Sequence, residues 1–156
     1  MPEVAYARGH RALRKDGCSL AGQIYLITFA TVARGRIFED PVNAAIVARA
    51  VEDPRLWYRS RLLAWVLMPD HWHGLIELGP MEDISIVVQR LKTNTARMLR
   101  CPGRESAPVW ARGFHDRALR ADESARIAAR HLIASPLRAG LVERIGDYPY
   151  WNAVWL

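Results

Sequence analysis

The sequence predicts an α+β domain, an antiparallel sheet with helices on one face and an extra helix towards the C-terminal end. Three observations carry this expectation. Apolar runs rich in β-branched and aromatic residues, at 23–32 and 62–68, read as strands. Apolar residues at helical spacing occupy 41–53 and 84–98 between and after them. At 156 residues, 51% of them hydrophobic, the chain can bury a core of its own as a single domain.

Taken in order, residues 1–22 carry Arg8, His10, Arg11, Arg14 and Lys15 with little apolar periodicity and read as a flexible basic arm preceding a domain over 23–156. The run from Gln23 to Val32 is the first strand, broken by Arg34-Gly35-Arg36. Asp40-Pro41 starts a helix with Val42, Ala45, Ile46 and Ala50 on its apolar stripe. Residues 61–78 form a hairpin about a Pro69-Asp70 turn. In the following helix Ile84, Val87, Val88, Leu91, Thr95 and Met98 form the core stripe, and Arg90, Thr93, Arg97 and Arg100 line another. Residues 109–120 read as a last strand, and Asp122 and Glu123 begin a helix that Pro136 ends, with Ala128, His131, Leu132 and Ser135 on one face. Strand, helix, strand, strand, helix, strand is the order of a ferredoxin-like sheet. The tail, with Tyr148, Tyr150, Trp151 and Trp155, reads as an apolar lid over it.

Charge and cysteine usage narrow the function. Net charge is +6, and every one of the 22 basic residues except Lys15 and Lys92 is arginine, whose planar fork suits phosphate oxygens. A nucleic-acid partner is the expectation, with the arginine stripe as a phosphate contact. Cys18 and Cys101 lack any partner at metal-ligand spacing, which fits a reducing compartment. The N-terminus lacks an apolar core of the length a signal peptide needs and no apolar run reaches a membrane span, so the expected location is cytoplasmic, away from membranes.

The stretch with most chemistry is Leu67-Met68-Pro69-Asp70-His71-Trp72-His73-Gly74. Alternation along a strand puts His71 and His73 on the same side, roughly 6 to 7 Å apart along the backbone, where two imidazoles can grip one cation. By the same alternation His115 and Arg117 share a face opposite Asp116.

In the blocks VLMPDHWHGLIEL (66–78), QRLKTNTARM (89–98), PVWARGFHDRALR (108–120) and ARHLIASPLRAGLVERIGDYPYWNAVW (129–155), and more loosely in GQIYLITFATV (22–32), the chain resembles the REP-associated tyrosine transposases, a branch of the HUH single-strand transposases. The resemblance implies a ferredoxin-like domain that cuts and rejoins single-stranded DNA beside imperfect palindromes, so the implied partner is a single-stranded, palindromic DNA hairpin, engaged by a monomer or homodimer. It implies that His71 and His73 hold a divalent ion, magnesium or manganese, against the scissile phosphate. It further implies a tyrosine nucleophile on the last helix and an amide ligand one turn on. Those positions here are His131 and Ser135.

Three roles for His131 stay open: a core histidine left after loss of function, a third nitrogen ligand that would favour zinc, or a nucleophile in place of the tyrosine. Carried over residue by residue, the implied site is His131 as the catalytic position, His71, His73 and Ser135 at the metal, and Arg11, Arg14, Lys15, Arg90, Lys92, Arg97, Arg100 and Arg117 towards DNA. The alternatives are a domesticated hairpin-binding protein without nuclease activity and a metal-dependent phosphodiesterase using activated water.

Overall fold

A computed structural model describes residues 21–100 and 107–156. Arg11, Arg14, Lys15 and the rest of the basic arm lie outside the described residues. The strands are β1 (Ile24–Ala30), β2 (Arg61–Met68), β3 (His71–Glu77), β4 (His115–Ala118) and β5 (Trp151–Ala153). The helices are α1 (Pro41–Val51), α2 (Ile84–Met98), α3 (Ala125–Ile133) and the single turn α4 (Ser135–Arg138). The sheet order is β4-β1-β3-β2-β5, and every pairing is antiparallel. The first four strands and two helices follow the ferredoxin-like order; β5 is an addition on the outer edge of β2.

Strand alternation builds two apolar layers. Tyr25, Ile27, Phe29, Trp65, Leu67, Trp72 and Ile76 face α1 and α2, and meet Val47, Val51, Val87 and Leu91. Ala64, Val66, Met68 and Leu75 face the other way, against Ala129 and Leu132 of α3 and Tyr148. The extra C-terminal helix therefore covers the face that α1 and α2 leave open.

Local signals explain most boundaries. Asp40 caps α1 by accepting from the Val42 N–H with Pro41 at the first position, and Asp83 caps α2 through the Ser85 N–H. The α2 bounds match the expected ones, although Met98 is exposed and Asn94 is buried instead. The apolar stripe of α1 is rotated from the expected one: Ala44, Val47, Ala50 and Val51 are buried, while Val42 and Ala45 are exposed. The helix is apolar nearly all round, so packing against α2, not periodicity, chose the phase.

The C-terminal third departs further. Of the expected strand over 109–120, only His115–Ala118 is a strand, with one isolated bridge from Trp110 to Thr31. α3 starts after Ser124, which caps it, because Glu123 is occupied by Arg117 and the Arg120 N–H. Pro136 does not end the helical course; it sits in the first turn of α4, where a proline lacks no needed donor. The tail is an edge strand and not a lid: β5 pairs with β2, and the Tyr148 hydroxyl donates to the Leu67 carbonyl.

Candidate metal and phosphate site

The site begins with register. Across the sheet His115, Thr28, His73 and Val66 stand in one row, and His71 lies two residues along β3 opposite Ala30 and Met68. All project towards α3. On the reverse side Trp72 is fully buried and stacks on Phe29 with ring centroids 5.1 Å apart. Its indole passes over residue 74, where a Cβ would fall 2.0 Å from the Trp72 ring. Only glycine fits there. The sequence His-Trp-His-Gly thus alternates site, core, site and the space the core residue needs.

The two imidazoles converge. His71 Nε2 and His73 Nε2 are 2.8 Å apart, with the rings at 88° to each other. Each outer nitrogen has its own partner: His71 Nδ1 lies 2.6 Å from the Asp70 carboxylate, and His73 Nδ1 lies 2.7 Å from the Thr28 hydroxyl. Asp70 accepts from His71 Nδ1–H, which leaves His71 Nε2 as a lone pair aimed at His73. Without a cation the pair is satisfied if Thr28 donates to His73 Nδ1 and His73 Nε2–H donates to His71. If instead Thr28 accepts from His73 Nδ1–H, both Nε2 lone pairs point at one place.

Two adjacent ligands of an octahedral ion with bonds of about 2.1 Å stand about 3 Å apart, so the pair fits a divalent ion with little movement. Outer partners of this kind orient imidazole ligands at metal sites.

The Asp70 turn is held from outside. Thr31 is buried, its N–H donates to the Asp70 carbonyl, its hydroxyl donates to the Gly35 carbonyl with the Asp70 carbonyl close by, and Phe38 N–H donates to the Pro69 carbonyl. Arg34 Nε reaches the second Asp70 oxygen at 3.1 Å. To place it there, Ala33 and Arg34 both take positive φ, 54° and 56°, a conformation that costs non-glycine residues energy.

Burial pushes the His71 imidazole below its ordinary range despite Asp70. It pushes His73 well below, reinforced by the charges of His71, Arg138, Arg34 and His131. Burial pushes the Asp70 carboxyl upwards, but His71 and Arg34 outweigh it and hold it below the usual carboxylate range. Both rings are therefore neutral near pH 7, as metal ligation requires.

The remaining expected site residues divide. His131 is exposed, yet near enough that its charge is felt at His73. Among the described residues no three His, Cys, Asp or Glu side chains are grouped so as to hold a metal ion, so His131 is not brought in as a third ligand. Ser135 is buried and its hydroxyl donates to the Leu132 carbonyl while accepting from Arg138 Nη2 at 3.0 Å. Its oxygen thus meets a guanidinium.

Arg90, expected on a DNA-facing stripe, is held by Glu82 and the Leu56 carbonyl on the opposite side of the sheet. Lys92 donates to the Ala111 and Gly113 carbonyls, tying α2 to the segment before β4. Arg97 is held by Asn94 beside a groove of about 800 Å³ between α2 and residues 53–56. Arg100 is exposed just beyond α2, and Arg117 pairs with Glu123.

Tyr148 does not replace the missing phenol: burial, with Tyr150 beside it, pushes its hydroxyl up to about 12, and that hydroxyl is engaged by Leu67. Sequence reasoning missed Thr28, Asp70, Arg34 and Arg138. Only Asp70, adjacent to His71 in a turn, left a local signal.

Among the described residues no helix is long and apolar enough to cross a membrane. A family model described as "Transposase IS200 like" matches residues 19–126. A curated protein of Haemophilus influenzae, provisionally assigned as a REP-associated tyrosine transposase, is 30% identical over 104 residues. That match covers 60% of this chain, which spans 58% of the relative's length. A solved REP-associated tyrosine transposase bound to a REP hairpin superposes with a TM-score of 0.65 at 19% identity, covering 85% of this chain and 77% of the other. It shares the fold. A Deinococcus radiodurans protein solved as a transposase candidate gives 0.48 at 24% identity, covering 76% and 95%.

Proposed function

Because the chain belongs to the transposase IS200-like family, we propose that it binds folded single-stranded hairpin DNA and presents one phosphodiester to a divalent ion at His71 and His73. The observation that carries this reading is the convergence of the two Nε2 atoms at 2.8 Å, each ring oriented from behind by Asp70 or Thr28. The hairpin as partner is suggested by the fold relative, which is bound to one. Magnesium or manganese suits the site, and two neutral imidazoles make manganese the better probe.

The chain's own residues supply orientation and charge. The Asp70 carboxylate fixes His71 with its Nε2 lone pair inwards. Thr28 does the same for His73 once its hydroxyl accepts. The apolar layer of Val66, Met68 and Leu75 on the same face limits water beside the pair. A bound ion would polarise a phosphodiester oxygen as a Lewis acid.

Family-type strand transfer needs a phenol where this chain has His131. An imidazole there would leave a labile phosphoramidate, so the tyrosine route is closed at that position. Exposed His131, close to the pair, favours a second reading in which it takes a proton from water and the phosphodiester is hydrolysed.

Labelled single-stranded hairpin DNA incubated with the protein and Mn2+ tests these readings together. Metal-enhanced binding that disappears in the His71→Ala, His73→Ala double variant supports the site. Cleavage without a covalent adduct assigns hydrolysis, and binding alone assigns a hairpin-binding protein. Equal affinity for random duplex at moderate salt, with no metal effect, overturns the proposal.

A further inference from the structure

We propose that Arg138 is the phosphate clamp of this site, its guanidinium closing on a non-bridging oxygen of the DNA backbone held at the histidine pair. The inference rests on the DNA reading above and adds a residue that neither the sequence motifs nor the charge stripes single out.

Placement comes first. Arg138 ends α4, and its Nη1 donates to the His131 carbonyl at 2.6 Å while Nη2 donates to Ser135 Oγ at 3.0 Å. These two bonds fold the side chain back along the end of α3, the helix that packs on β2 and β3 over the histidine face. α4 itself meets β2, whose Val66 and Met68 stand opposite His73 and His71. A guanidinium has five N–H donors in a planar fork, and two are used here.

Charge balance comes second. Among the described residues Arg138 makes no ion pair with a carboxylate. The acid beside the histidines, Asp70, is already divided between His71 and Arg34. Arg34 and Arg138 bring two positive charges against one negative, imidazoles that ligate an ion add no charge, and a divalent ion would add two more. A cluster so built lacks its anion. A phosphodiester, with one oxygen on the ion and another accepting from the guanidinium, supplies it through a charge-assisted hydrogen bond.

The test uses the whole chain and a short single-stranded oligothymidylate with Mn2+, measuring affinity across a salt series together with thermal stability. Arg138→Gln keeps an amide donor for the His131 carbonyl and removes the charge; Arg138→Lys keeps the charge without the fork. Loss of one phosphate contact should weaken binding about tenfold and reduce the salt slope by about 0.7 in Arg138→Gln, with most of the slope restored in Arg138→Lys.

A slope unchanged in Arg138→Gln, or an affinity lost to the same degree in both variants together with a lower melting temperature, makes Arg138 a helix cap only and overturns the clamp. If the parent binds neither the oligothymidylate nor the hairpin DNA, the DNA reading falls and the clamp falls with it; a parent that binds only the hairpin carries the same salt series on that DNA. A parent that binds beside an unaffected Arg138→Gln removes the clamp alone.

Discussion

Replacing Thr28 with valine separates the metal reading from mere packing, because it keeps shape and removes one hydroxyl. That hydroxyl sits 2.7 Å from His73 Nδ1 on the neighbouring strand. In the apo protein its loss leaves a buried ring nitrogen without a partner, a cost of about 1–3 kcal/mol. On metal binding the effect differs: nothing then holds His73 in the tautomer that aims Nε2 at the ion, and loss of such an outer partner typically weakens a metal site about 10- to 100-fold.

At a Mn2+ concentration about 100 times the parent's Kd, binding stabilises the parent by about 2.7 kcal/mol; in Thr28→Val the same concentration gives about 1.4 to 0.4 kcal/mol. Melting with and without Mn2+ reads this difference, the parent rising on the order of 5–10 °C and the variant by half of that or less. Calorimetric titration gives Kd directly. A folded Thr28→Val protein that binds Mn2+ within about a factor of two of the parent would refute the tautomer argument.

The parent should form no alkali-stable DNA adduct, whereas His131→Tyr with Ser135→Asn should allow a phosphotyrosine link detectable by mass spectrometry; an adduct in the parent mapped to Tyr148 or Tyr150 would show that His131 is not the nucleophile position. Gly74→Ala should lose about 2–3 kcal/mol in denaturant unfolding, since its Cβ meets a fully buried indole ring with no room to turn. The lowered basicity of His71 and His73 predicts that stability is flat from about a pH unit above 6.5 upwards, where folded and unfolded forms are both neutral. Below it the unfolded chain takes up protons the folded chain resists, so stability falls by up to about 2.7 kcal/mol per pH unit for two sites, and the double alanine variant should lose that slope. Tyr148→Phe should cost about 1 kcal/mol in stability and leave DNA binding unchanged, because its hydroxyl serves the Leu67 carbonyl.

What could be read from the sequence follows the range of the interactions. The bounds of α2, the Pro69-Asp70 turn and the common face of His71 and His73 depend on neighbours a few residues away, and the structure agrees with all three. The partners that make the pair a site do not. Thr28 and His73 are 45 residues apart, and only the β1–β3 register joins them. Arg90 and Lys92 looked like surface charge because Glu82, Ala111 and Gly113 meet them in space alone. β5 was illegible for a similar reason: three residues pairing with β2 leave no periodicity to detect. At α1, two apolar phases competed, and tertiary packing decided between them.

The place of β1 in the sheet has a kinetic consequence. The β2–β3 hairpin, with its two-residue turn, is the most local piece of the sheet and can form early, and it already carries both histidines and Asp70. Thr28 arrives only when β1 inserts between β3 and β4, the step that closes long loops and joins the outer strand β4 to the hairpin. A chain arrested before that step holds two imidazoles with one of them unoriented. A divalent ion should therefore bind the finished sheet in preference to any partly assembled one, slowing unfolding far more than it speeds folding. Such an ion would act as a latch on β1.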